Sequence, residues 1–342
     1  MWPRLATALE NFPRERLLDG PTPIQRLYRL ERTLSKDARG VRFFVKRDDL
    51  MGLGGGGNKL RKLEFAIGEA LARGCDAFVT SGGLQSNHAR LSAAAAAKAG
   101  LSCDLVLTRA VPRDDDDYQY GGNVLLDQLF GANVHKLAEG VQAGPFVEEL
   151  VAQLRGSGRR PYVLGMGGSS PVGCLGYVAC AAEIASQERD LGTTFAAIVT
   201  ANGSSGTHAG LAAGFRALGL DPARVASFAV LASAEETRAT TLDLARLTLE
   251  LIDNDATLDA AQIVVSGEEL GGGYGLPTET MRAAVRRLGR CEGLVLDPVY
   301  SGKAFAGVLA EIERGRFKDG DTVLFLMTGG LPGLFAYRRA FS

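Results

Sequence analysis

An α/β architecture, with a parallel sheet covered by helices on both faces, is what the 342-residue sequence predicts, and three observations carry it. Short apolar runs alternate along the whole chain with stretches whose apolar residues recur every three or four positions, as strands and helices do in turn. Polar and glycine-rich clusters follow one apolar run after another, where open α/β sheets gather their ligands. With 46% hydrophobic and 23% charged residues, the chain can bury a sizeable core and fits two domains, or one large domain with a lobe.

The elements follow in order. "VRFFVKRDD" (41–49) reads as a strand entering a loop. "KLRKLEFAIGEALARG" places Leu60, Leu63, Ile67, Ala70 and Leu71 on one face and stops at Gly74, so it reads as a helix. "DAFVTSGG" is a buried strand and "NHARLSAAAAAKAG" an alanine-rich helix closed by glycine. "CDLVLT" is a strand, and the acidic run Asp114–Asp117 after it reads as a solvated loop without Ca²⁺-loop spacing. "GGNVLLDQLFG" (helix), "ANVHKL" (strand), "FVEELVAQLRGSG" (helix) and "PYVLGMGG" (strand) complete the first half. In the second half a helix spans "GYVACAAEIASQERDLG", and "AAIVTANGSSGTHAGLAAGFRALG" opens as a strand and closes as a helix. "SFAVLAS", "AQIVV", "GLVLDPVYSG" and "TVLFLMTGG" supply further strands with helices between them.

Charge and rare residues narrow the function. The 38 basic and 39 acidic residues nearly cancel, giving a net charge of −1 and no single-sign field for nucleic acid or an anionic membrane. Five scattered cysteines without a C-x-x-C pair read as reduced thiols, and the three histidines stand in no metal-ligand spacing, so no metal is expected. The amino-terminal "MWPRLATALENFPRERLL" mixes charge and proline where a signal peptide would be apolar, and no run reaches bilayer length. A soluble cytoplasmic protein is expected.

Two stretches point to chemistry. "GLGGGGNKLRK" (52–62) sets four glycines before Lys59, and glycine in that density needs a compensating reason, such as close approach of backbone to a ligand. A lysine in a glycine-lined, partly dry pocket has a lowered pKa and becomes a nucleophile; the alternative is a solvated helix-surface amine. "NGSSGTHAG" (202–210) is a strand end, a glycine–serine loop and a helix start, whose N–H groups and hydroxyls suit a phosphate. A glycine-rich turn with capping serines is the alternative reading. Neither nucleotide fingerprint is present, so a small phosphorylated cofactor is indicated, and lysine with phosphate loop suggests pyridoxal phosphate.

The order of seven motifs makes the resemblance specific: "PTPIQRL", "VKRDDL…GGNKLRKLEF", "QSNHAR", "GSSGTHAG", "GYGLPTE", "LDPVYSGKA" and "TGG…LFAY". The sequence resembles the fold-type-II (tryptophan synthase β-like) pyridoxal-phosphate enzymes, in the branch of D-cysteine desulfhydrase, L-cysteate sulfo-lyase and 1-aminocyclopropane-1-carboxylate deaminase. That resemblance implies twisted parallel sheets in a large cofactor-binding domain (1–66 and 169–342) and a smaller inserted α/β domain (67–168), with pyridoxal phosphate in the cleft and a homodimeric assembly.

By the same resemblance Lys59 carries the cofactor as an imine, and Lys62 matches a lysine near its phosphate, with a helix-surface charge as the alternative. Asn87 bonds the cofactor's 3-hydroxyl, and Gly203, Ser204, Ser205, Gly206 and Thr207 form the phosphate loop. Thr328 lies near the pyridine nitrogen. Ser86, Asn87 and His88 take the substrate carboxylate; Lys59, Ser86, Tyr274 and Tyr300 are the candidate catalytic residues. The reaction implied is removal of the α-proton by the freed lysine, loss of the β-substituent with a tyrosine as acid, and hydrolysis to pyruvate and ammonia. The small amino acid implied first is D-cysteine, with sulfide leaving.

Deaminase relatives carry a glutamate directly after the second tyrosine; Ser301 stands there, which favours elimination over ring opening. "QSNHAR", with His88, leans toward the desulfhydrase and sulfo-lyase side as well. Other positions depart from the desulfhydrase pattern. Leu91 and Ser92 replace Gln-Thr, Met327 replaces a histidine, and "LPG" (331–333) replaces Ala-Pro-Ala, so a substrate larger or more apolar than cysteine is allowed.

Overall fold

A computed structural model describes residues 3–34, 40–253 and 255–342. The chain begins with helix α1 (Pro3–Glu10), strand β1 (Ile24–Arg26), helix α2 (Tyr28–Thr33) and strand β2 (Arg42–Lys46). Helix α3 (Lys59–Ala72) leads into β3 (Ala77–Gly83), α4 (Asn87–Ala99), β4 (Ser102–Thr108), α5 (Asp116–Tyr120), α6 (Gly122–Leu129), β5 (Asn133–Lys136), α7 (Ala143–Gly156) and β6 (Pro161–Leu164). There follow α8 (Pro171–Asp190), β7 (Ala197–Asn202), α9 (Gly206–Ala217), β8 (Val225–Ala229), α10 (Ala234–Glu250) and β9 (Val264–Ser266). The chain closes with α11 (Glu279–Glu292), α12 (Ser301–Glu313), β10 (Thr322–Leu326) and α13 (Leu331–Ala336).

The strands form two sheets, one of six in the order β1-β2-β10-β7-β8-β9 and one of four in the order β5-β4-β3-β6. Every pairing is parallel except the edge pair β1–β2, an antiparallel exception to the expected all-parallel sheet. Helices cover both faces of each sheet. The core on one face of the six-stranded sheet is built with α8 and α9, and on the other with α11 and α12. Phe78 and Val79, neighbours on β3, enter two separate clusters on opposite faces of the four-stranded sheet, as the period of two requires.

The strand expected in "GLVLDPVYSG" is absent. Residues 293–299 run as coil and turn into α12, and beyond Asp297 the turn is held by its carboxylate, which accepts the N–H groups of Val299, Tyr300 and Ser301 at 2.8–2.9 Å. A side chain that gathers three successive amides turns the chain and leaves none of them for a ladder. The acidic run behaves similarly: the Asp115 side chain caps α5 by accepting from Tyr118 N.

Helix α3 positions the lysine and lies between the two sheets. Leu60, Leu63, Ala66 and Ile67 pack into the four-stranded lobe, while Phe65 joins the core beneath α8. The expected boundary at residues 66 and 67 falls inside this continuous helix. On the α8 side, Arg61 donates to both Asp48 oxygens at 2.8 and 2.9 Å and to Glu183 at 2.9 Å; Tyr177 also donates to Asp48. Both Arg61 and Asp48 are buried. Arg61→Met leaves Asp48 buried without its cation and is expected to destabilise the fold by about 3–5 kcal/mol. Urea unfolding checks this, with a lower midpoint at unchanged slope.

Candidate active site

Successive strand ends meet in one cleft between the sheets, lined from both sides by residues that include Lys59, Ser86, Asn87, His88, Gly203, Ser204, Ser205, Thr207, Tyr274, Tyr300 and Thr328. Gly206 belongs to the same loop without itself lining the cleft, and Lys62 stands directly behind that loop.

The glycine run is a structural demand. Gly54 to Gly57 adopt φ of 61°, 80°, 78° and 133°, a region L side chains rarely enter. A Cβ on Gly56 would lie 2.4 Å from the Asp49 carbonyl oxygen. The buried Arg90 guanidinium, from α4, donates to the carbonyls of Gly54 and Gly56, and Leu91 packs against Gly54 and Gly57. Asn58 N donates to Thr328 O at 3.0 Å, tying the loop to the end of β10.

Lys59 opens α3 with its amine toward the cleft. Nζ lies 3.3 Å from Asn58 Oδ1 and 6.0 Å from the centre of the Tyr300 ring. Burial, and after it the neighbouring Lys62 cation, push the amine down to about 7, with Asp297 pulling the other way. Neutral amine is therefore abundant at physiological pH.

The first turn of α4 presents the next groups. Ser86 caps it, its Oγ accepting from Ala89 N at 3.1 Å, which leaves the hydroxyl proton free to be donated. Asn87 Oδ1 accepts from Asn123 Nδ2 at 3.0 Å, and Asn123 is in turn held by Gln85, so the Asn87 NH₂ group remains for the cleft. The His88 ring is committed elsewhere. Its Nε2 lies 2.8 Å from Thr80 Oγ1, whose proton goes to Leu164 O, so Nε2 carries the hydrogen and the buried Nδ1 is an unpartnered acceptor. Burial, and secondarily the two lysines, hold this imidazole neutral, well below its usual range. At a carboxylate, His88 can offer its backbone N–H at the helix start but no ring proton.

Gly203–Thr207 joins β7 to α9. Ser205 is the one non-glycine residue with positive φ among those described, at φ 66° and ψ −30°. Gly206 N reaches back to Ser204 O at 2.8 Å, closing a strained γ-turn at the start of α9. Lys62 is fully buried, which removes the helix-surface reading. Its amine, lowered by burial to about 8, donates to Gly167 O and Ser169 Oγ at 3.1 Å each. Ser169 donates to Ser204 Oγ at 2.8 Å and accepts from Gly206 N, so Lys62 reaches the loop through Ser169. Asn58 Nδ2 donates to Thr207 Oγ1 at 3.2 Å, linking the loop to the residue beside Lys59.

Across the cleft the Tyr274 and Tyr300 hydroxyls lie 2.6 Å apart. Burial first, then mutual repulsion and Asp297, raise Tyr300 well above its usual value; burial raises Tyr274 too, so both stay protonated. Ser301 is turned away: its hydroxyl donates to Asp297 Oδ1 and accepts from Asp297 N, and it does not line the cleft. Met327 is packed in the core and leaves the cleft's width untouched. Asn58, Arg90, Asn123, Ser169 and Asp297 were unassigned from sequence. Arg90 and Asp297 lie inside quoted motifs, whereas Ser169 carries no motif signal.

A family model described as pyridoxal-phosphate dependent enzyme matches residues 16–329. The chain belongs to the pyridoxal-phosphate-dependent enzyme family. Within that family it is 42% identical to the D-cysteine desulfhydrase of Yersinia enterocolitica over 96% of this chain and 97% of that one. It is 40% identical to the 1-aminocyclopropane-1-carboxylate deaminase of Methylobacterium sp. (strain 4-46), over 97% and 99%. A solved structure of an ACC deaminase homologue, 36% identical, superposes with a TM-score of 0.87 over 100% of this chain and 99% of that one. As a member of this family, the enzyme depends on pyridoxal 5′-phosphate. The cleft suits that cofactor: a half-neutral amine, an anion nest without a carboxylate, and the oriented Asn87 amide converge there.

Proposed function

We propose that this pyridoxal-phosphate-dependent lyase eliminates the β-substituent of a small amino acid, D-cysteine first, yielding pyruvate, ammonia and hydrogen sulfide. One observation carries the reading: an amine lowered to about 7 and a protonated tyrosine pair line the same cleft, a base facing an acid.

Lys59 Nζ would hold the cofactor, Gly203–Thr207 its phosphate, and Asn87 Nδ2 its ring hydroxyl. When bound, the cofactor supplies the electron sink that makes the α-proton acidic. Lys59 Nζ, once free and neutral, takes that proton. The first-turn N–H groups of α4 and the Ser86 hydroxyl orient the substrate carboxylate, favoured also by the helix dipole. Of the two tyrosine protons, one is spent between the rings and the other is given to the departing sulfur.

The test is a parallel assay of D-cysteine, L-cysteine, L-cysteate and 1-aminocyclopropane-1-carboxylate. Pyruvate with sulfide from D-cysteine supports elimination, whereas 2-oxobutyrate from the cyclopropane substrate alone overturns it. Cofactor loading gives a pH prediction. Only the neutral Lys59 amine attacks the aldehyde, so the loading rate of the apo-protein is expected to rise with pH around a midpoint near 7 and then level. Lys62→Met removes a cation that lowers Lys59, so it moves the midpoint upward; stopped-flow absorbance reads both.

We also take the enzyme to act in the cytoplasm as a homodimer. No helix of the described residues is long and apolar enough to cross a membrane. Leu125 and Leu129 on α6, and Leu331 and Phe335 on α13, are exposed on two helices that pack together, which supports a second copy covering them.

A further inference from the structure

Among the described residues, helix α6 contributes nothing to the lining of the cleft, yet its Asn123 holds the Asn87 amide. One turn further along, Arg90 of α4 and Asp127 of α6 are both fully buried. Arg90 lies three residues after Asn87 and Asp127 four after Asn123, so the Asn87–Asn123 bond sets the two on facing sides of the helix pair. The glycine loop lies against this contact. A Cβ on Gly54 would meet Leu91 and Ala94 of α4 and Phe130 just past α6, and one on Gly55 would meet Arg90 Nη1 at 3.1 Å and Leu126 at 4.0 Å. Arg90 Nη2 donates to Gly56 O at 2.9 Å and Nη1 to Gly54 O. Its buried Nε, and both Asp127 oxygens, have no hydrogen-bond partner among the described residues. Burial lowers the guanidinium to about 10 and raises the carboxyl to about 7, and each pulls the other back. The other titratable groups against Asp127 are Lys136 of β5, whose amine donates to Gln119 O, and Cys103 of β4, a thiol that burial keeps protonated.

We propose that Arg90 and Asp127 are a positioning pair for Lys59: the carboxylate balances the guanidinium in the dry helix interface, the guanidinium clamps the glycine loop, and the loop keeps the lysine amine inside the cleft. The inference rests on the reading of Lys59 as the cofactor's anchor and adds what holds it there. Four successive glycines, Gly54–Gly57, lose more conformational entropy on ordering than any other residues would. One planar fork takes two of their carbonyls, so a single preorganised side chain fixes two residues of positive φ. A buried cation without its counter-charge draws water into the interface and away from that geometry, and Asp127 is the carboxylate that attracts it. Burial is also what lowers Lys59 most, so a slack loop lets water reach the amine and raises it toward an ordinary lysine.

Two readouts on the full-length protein test the pair, with Asp127→Asn and Arg90→Met made singly and together. Asp127→Asn removes an anion. Acting directly on Lys59, that loss would lower the amine; acting through the loop, it raises it, so the sign of the shift decides. The pH midpoint of apo-protein loading is expected to rise by about one unit in either variant. Deuterium exchange of the holoenzyme over residues 52–60 should quicken by about tenfold. The double variant should match Arg90→Met alone, since the carboxylate then has nothing to balance. Arg90→Lys, which keeps the charge but not the fork, should fall between wild type and Arg90→Met, and replaces it if Arg90→Met does not fold. A midpoint that falls or stays in place in Asp127→Asn, or a further loss when Asp127→Asn is added to Arg90→Met, overturns the inference. So does a lower melting temperature with midpoint and loop exchange both unchanged, which leaves the pair a packing feature. Loop exchange does not depend on which lysine carries the cofactor, so it tests the pair even if Lys59→Ala keeps its absorbance.

Discussion

Lys59→Ala is expected to remove both the cofactor's lysine-bound absorbance, at about 410–420 nm, and turnover, the latter by about 10⁴-fold or more, because the proposed mechanism asks one side chain to be anchor and base. The fold should survive. Lys59 stands at the first position of α3 with its amine toward the cleft, where its side chain hydrogen-bonds Asn58 Oδ1 at 3.3 Å. Lys59→Arg is the sharper control, since it keeps the charge and much of the length, but guanidinium stays protonated and does not attack an aldehyde. Lys62 is the competing amine, lowered to about 8, yet its donors are committed to Gly167 O and Ser169 behind the loop. If the band persists in Lys59→Ala and disappears in Lys62→Met, the anchor has been misassigned.

That competition shows what sequence could and could not say. Lys59 was legible because four glycines before a lysine make sense only with an unusual backbone, and the observed φ values are of that kind. The turn from β7 into α9 was legible for a related reason: a strand end, small residues and a helix start lie within nine consecutive positions. Lys62 was ambiguous because its burial depends on α8 and on Ser169, more than a hundred residues away. Ser301 is a neutral hydroxyl by sequence alone, but its bond to Asp297 depends on how the chain turns into α12. The strand expected over "GLVLDPVYSG" is absent, and in its second half apolar periodicity ignores what Asp297 does to the amides of Val299, Tyr300 and Ser301. Met327 looked like a change in the cleft and is a change in the core, whereas Met166 and Leu231, expected within the strands of "PYVLGMGG" and "SFAVLAS", stand just beyond the ends of β6 and β8 and line the cleft. Local backbone demands are written locally; which side of a wall a residue occupies is decided by distant packing.

Tyr300→Phe carries the second large effect. The substitution leaves ring and packing in place and removes one hydroxyl of the pair, so Tyr274 loses its 2.6 Å partner. If a proton from this pair completes the departing thiol, kcat for D-cysteine should fall about 10²–10³-fold, within the range of a lost general acid. The 410–420 nm band, about that region for the lysine-bound cofactor, should remain. KM should change little, since the proposed carboxylate site is at α4. A general structural defect would produce the same drop with any substrate, so the leaving group must be varied. Chloride departs without needing a proton, and with β-chloroalanine the deficit should therefore shrink by about tenfold or more. Equal losses with both substrates would mean that Tyr300 acts through the position of Lys59, 6.0 Å from its ring, and that the acid lies elsewhere. A loss confined to D-cysteine places the proton on the tyrosine pair, because only that substrate asks for one.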